Sequence, residues 1–128
     1  MKHLIRGFAY TAMISLALVS ASAGPASAGD DDAKLAEQMA LHVYGQTLEE
    51  LANDDGISVE REIGKLAGEA EATCKFLRMT VPVASTTAAL RESDMAKEQY
   101  FLYLVSAQFK CGEYYGPVLK YGVEQKWS

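Results

Sequence analysis

Apolar residues return every three or four positions through Leu35, Ala36, Met39, Ala40, Val43, Tyr44 and Leu51. That rhythm predicts one amphipathic helix, running from the aspartates at 30–32 to a stop at Asn53-Asp54-Asp55-Gly56. Asp30, Asp31 and Asp32 sit where the positive end of its dipole favours carboxylates. Ser58 reads as the cap of a second helix, with Val59, Ile63, Leu66, Ala67, Ala70, Cys74 and Leu77 at helical spacing and Pro82 closing it. Gly64 and Gly68 lie one turn apart on its flank, a pair that lets another backbone come close. The surrounding Lys65, Glu69 and Glu71 exclude a membrane-helix pairing.

Ser85 to Leu90 is read as a short helix or an irregular crossing. Ser93-Asp94 is then expected to cap a third major helix over Met95 to Tyr115, broken by Gly116-Pro117. Residues 100–109 are apolar on nearly every side, which makes that helix the central one. A strand over Tyr100 to Val105 is the alternative, disfavoured by the good helix formers that lead in from Met95. Val118 to Trp127 closes the chain as a short helix or an extended arm. The pattern as a whole predicts an all-α fold, a small bundle of three to four helices.

A different pattern precedes it. Lys2, His3 and Arg6 lead into an apolar run from Phe8 to Val19, and Ala26-Ser27-Ala28 offers a small-x-small cleavage motif. The run is about 12 residues long, against roughly 20 needed to cross a bilayer. Residues 1–28 are therefore expected to be a secretory signal peptide, cut after Ala28, or after Ala23 at the second such motif, with no lipid-anchoring Cys beside it. Residues 29–128 are expected to form a single domain, periplasmic or secreted, with no stable membrane anchor.

Compartment decides how the cysteines are read. Cys74 and Cys111 are the only two, an even count in an oxidising environment, so one structural disulfide is expected. It would join the last turns of the second and third helices. Closing a loop of this length is worth about 3.8 kcal/mol on the chain-entropy argument.

Without Lys2 and Arg6, 10 basic residues face 17 acidic ones, a net charge of −7. That balance disfavours nucleic acid and anionic lipid and suits a basic partner protein. All 17 acids read as lying on polar faces or in turns, with none set into an apolar run as a raised-pKa catalytic acid would be. His42 is the one histidine after the leader, placed on a polar face, and cannot alone build a triad or a zinc site. A calcium loop aligned on Gly56 fails at its first ligand, which is Leu51. Together these readings point away from an enzyme, a metal site or a cofactor.

Eight of the ten aromatic residues after the leader lie between Tyr100 and Trp127. Tyr and Trp are enriched at protein-binding hot spots. Tyr114, Tyr115, Tyr121 and Trp127 are the candidate anchors, with Glu113 and Glu124 at the rim; for these aromatics core and interface are both open readings.

The layout of an exported, acidic, helical domain with one long-range disulfide is similar to that of periplasmic immunity proteins that bind type VI secretion amidases. Lys110-Cys111-Gly112-Glu113-Tyr114-Tyr115, with Leu119 and a basic-aromatic tail after it, resembles their Cys-containing C-terminal segment. The Pro-broken stretch Thr80 to Ser85 departs from that pattern. The resemblance implies a non-catalytic inhibitor that plugs a cell-wall-degrading effector. A periplasmic stress chaperone and a small envelope hydrolase are the alternatives, and a homodimer is left open.

Overall fold

The computed structural model describes residues 29–127; the expected signal peptide lies outside them. Six α-helices follow one another: α1 (Gly29–Tyr44), α2 (Leu48–Asp55), α3 (Val59–Thr80), α4 (Thr86–Ser93), α5 (Lys97–Lys110) and α6 (Tyr115–Glu124). Two single 3₁₀ turns, Val83–Ser85 and Gly112–Tyr114, lead into α4 and α6. Among the described residues there is no strand, so Tyr100 to Val105 is helical. None of these helices is long and apolar enough to cross a membrane.

The all-α expectation holds; the helix count exceeds the three or four expected, for local reasons. The single helix expected from residue 30 to Asn53 is two helices. Gly45 takes a left-handed conformation (φ 66°) that side chains rarely adopt. Its N–H and that of Gln46 donate to the carbonyls of Leu41 and Ala40, closing α1. Thr47 then starts α2 with a reciprocal cap: its hydroxyl accepts from the Glu50 N–H (3.1 Å), and the Glu50 carboxylate accepts from the Thr47 N–H (3.0 Å). Gly56 ends α2 as the turn signal requires, with the Ile57 N–H donating to the Ala52 carbonyl.

Ser58 caps α3 as expected, its hydroxyl accepting from the Arg61 N–H, and the helix stops before Pro82. Ser93 does not cap the next long helix. Its hydroxyl donates back to the Leu90 carbonyl at the end of α4, Asp94 turns left-handed (φ 49°), and α5 begins only at Lys97. The break after α5 also moves. It falls at Cys111, while Gly116 and Pro117 sit in the first turn of α6, where proline's missing N–H would have had no helical acceptor.

Packing explains the composition of α5. One buried cluster joins Leu35, Met39, Val43 and Tyr44 of α1, Leu51 of α2, Leu66 and Ala70 of α3, and Leu102 and Val105 of α5. A second joins Cys74 and Leu77 of α3, Leu90 of α4, Tyr100 and Ala107 of α5, Cys111, Tyr114, and Val118 and Tyr121 of α6. Phe101 packs against both. An all-round apolar helix is thus the partition between two cores, which is the central position its sequence predicted.

Cys74 and Cys111 form the expected disulfide, with Cα atoms 5.8 Å apart. Its place differs from the expectation. Cys74 lies six residues before the end of α3 and Cys111 just past α5, so the bond pins the body of α3 to the α5–α6 junction.

Candidate functional site

The C-terminal aromatics divide by burial. Tyr114 is buried, and its hydroxyl donates to the Val81 carbonyl at 2.6 Å, tying the α5–α6 junction to the end of α3. Tyr121 is buried on α6, its ring 6.1 Å from that of Tyr100. Tyr115 and Trp127 are half-buried. Lys126 reverses the chain in a left-handed conformation, and the Trp127 N–H donates to the Gly122 carbonyl. The indole then packs 5.5 Å from Tyr100 and 5.9 Å from Tyr121. Tyr114 and Tyr121 therefore share the second core, and Tyr115 and Trp127 keep part of their rings outside.

Both candidate rim carboxylates are already held. Glu113 takes a two-point contact from Arg78 of α3 (2.7 and 3.1 Å), and Glu124 takes one from Arg91 of α4 (2.8 and 2.5 Å). Hydrogen bonding to the guanidinium pulls each carboxyl below its ordinary value and raises the paired arginine. These pairs clamp α3 and α4 onto the C-terminal elements.

Two acids depart from the expectation that all lie on polar faces or in turns. Glu62 and Glu69, two turns apart on α3, are 1% and 4% exposed. The reason is that α3 packs against α1, α2 and α5 together, so its buried face is wider than its apolar stripe. Glu69 accepts from the Tyr44 hydroxyl at 2.7 Å, which gives the buried carboxylate a specific donor.

The exposed face of α3 carries what the aromatic reading missed. Phe76 and Met79, 52% and 75% exposed, project from consecutive turns, with exposed Val83 just beyond Pro82. Beside them runs an open groove of about 380 Å³ lined by Glu71, Cys74, Lys75, Arg78, Met79 and Lys110. One wall is fixed by Lys110, whose ammonium meets Asp32 of α1 at 2.9 Å and Glu71 at 3.7 Å. The disulfide forms part of the lining, so the surface rests on a covalently braced frame. A signal was present: Phe76 and Met79 fall off the Leu66–Ala70–Cys74–Leu77 stripe, and large apolar residues off a stripe point outward.

His42 is exposed at the end of α1 and stacks on Phe101, ring centroids 5.1 Å apart. Leu51, at the position where a calcium loop would need its first ligand, is fully buried. Among the described residues no group of three or more His, Cys, Asp or Glu could hold a metal ion.

Charge is unevenly placed. Residues 29–64 hold ten acidic and two basic side chains, whereas residues 65–128 hold seven and eight. The α3 groove lies in the balanced portion, and the acidity belongs to α1, α2 and the first turn of α3. Compared with protein-family models, curated proteins and solved structures, this chain matches none.

Proposed function

We propose that this chain is an exported, non-catalytic protein-binding domain. The observation that carries the reading is the exposed Phe76–Met79 pair on a helix braced by the disulfide. Contiguous exposed apolar side chains with a polar surround mark interaction surfaces, and methionine is over-used where such surfaces must adapt to a partner. The leader-like residues 1–28 and the disulfide support export. Tyr115 and Trp127 supply a second, aromatic edge.

The partner is an exported protein. A cell-wall-degrading effector is the one that the resemblance of the Cys111 segment implies, and this chain would be its immunity protein. The strongly acidic α1–α2 portion would steer a basic partner into place without itself anchoring it.

The test is stoichiometric co-purification of tagged mature domain with one exported protein, repeated for Phe76→Asp and Met79→Asp. Each variant is expected to keep its thermal midpoint and to lose about 2 kcal/mol or more in affinity. Full retention of the partner by both variants would overturn the surface. Turnover of an envelope substrate would overturn the non-catalytic reading.

A second reading, an envelope stress chaperone, draws on the 17 carboxylates and on the burial of Glu62 and Glu69. It expects protection of several unrelated proteins at acid pH and no single stoichiometric partner.

A further inference from the structure

The described residues contain three methionines in three environments. Met39 is fully buried in the first core, Met95 is half-buried against the second, and Met79 is 75% exposed. The two cysteine sulfurs are joined to each other and buried. Met79 is thus the sulfur that solvent reaches most freely among the described residues, and it belongs to the exposed apolar surface of α3 and lines the groove beside it.

Exposure governs thioether oxidation, and the product is a polar, chiral sulfoxide in place of an apolar side chain. At Met39 that change would disrupt packing. At Met79 it would alter only the surface, because the side chain contributes little to either core.

We propose that Met79 is an oxidation site through which a peroxide-class oxidant switches the α3 surface from apolar to polar without loosening the fold. The sulfur lone pair attacks one peroxide oxygen and forms the S–O bond as the O–O bond breaks. Sulfur gives up two electrons, and the other oxygen leaves as water after proton transfer. Thiol-dependent sulfoxide reductases reverse such a change, so the switch can be reset. Its consequence for binding rests on the protein-binding reading above.

The experiment treats the folded mature domain with hydrogen peroxide and maps oxidation by peptide mass spectrometry, with a guanidinium-unfolded sample as reference. Met79 is expected to oxidise at least about tenfold faster than Met39 and Met95 when folded, and at a similar rate to them when unfolded. Retention on a phenyl-substituted column and the thermal midpoint are read on the same samples. The oxidised domain should elute earlier with its midpoint unchanged, and peroxide should leave the retention of Met79→Leu unaltered.

Met39 or Met95 oxidising as fast as Met79 in the folded domain overturns the proposal, as does unchanged retention after oxidation at Met79. The binding reading fails on a separate result, since Phe76→Asp contains no sulfur change and tests the surface alone.

Discussion

Gly122 has its place because of a ring. Tyr100 is fully buried, and the end of its ring fills the space where a Cβ on residue 122 would stand, so α6 can approach α5 only if that residue has no side chain. Gly122→Ala should cost about 1–3 kcal/mol in urea unfolding, because the added methyl would have to displace a fully buried ring of the second core. An unchanged midpoint would show that the two helices separate easily. The same packing explains why single residues were hard to assign from sequence. The stripe on α3 identified Leu66, Ala70, Cys74 and Leu77 as core, since period alone decides those. It could not identify Glu62 and Glu69, whose burial depends on how many helices surround α3. Tyr114 and Tyr121 were equally open, because the α5–α6 junction that turns them inward is a tertiary feature.

At the scale of elements, caps decided the outcome more than stripes did. Leu51 continues the α1 stripe across Gly45–Thr47, so periodicity ran through a break. The Thr47–Glu50 box was written in the sequence as a start signal. Thr47→Ala should therefore cost about 1 kcal/mol, measured as a shift of the urea midpoint with unchanged slope. Gly116-Pro117 shows the converse: a pair read as a stop sits in the first turn of a new helix. The Arg78–Glu113 and Arg91–Glu124 clamps join elements the sequence could not pair, 35 and 33 positions apart. Their carboxyls sit below the ordinary value of 4.5 in the folded chain, so their stabilisation is present above that pH and is lost as pH falls through the lowered values. A Glu113→Gln, Glu124→Gln double variant should melt slightly below the parent at pH 6, and the gap should close under strong acid. A gap that widens with acid would reverse the assignment. Both pairs are on the surface, so the effect is small.

For the whole molecule, the disulfide closes a separation of 37 residues, and its loss in Cys74→Ser, Cys111→Ser should cost about 3.8 kcal/mol. The circular dichroism at room temperature should stay helical, because α2 and α3 start on side-chain caps of their own and both cores hold apolar contacts besides the bond. A collapse of the helical signal would mean that the bond organises the fold rather than stapling it. Helix class, central α5 and the cysteine pair were legible because each follows from local pattern or parity; the α3 surface is fainter in the sequence, because Phe76 and Met79 are only two apolar residues off a stripe, whereas eight aromatics crowd residues 100–127. The partition role of α5 has a further consequence for the order in which the chain comes into being. Asp32 and Lys110 meet across 78 positions, and the first core stays open on one side until Leu102 and Val105 arrive. A fragment ending at Asp94 should accordingly show helix without a cooperative melt. A chain passed through a translocation pore N-terminus first would remain threadable until nearly its full length had emerged, and would lock shut only with the arrival of its last quarter.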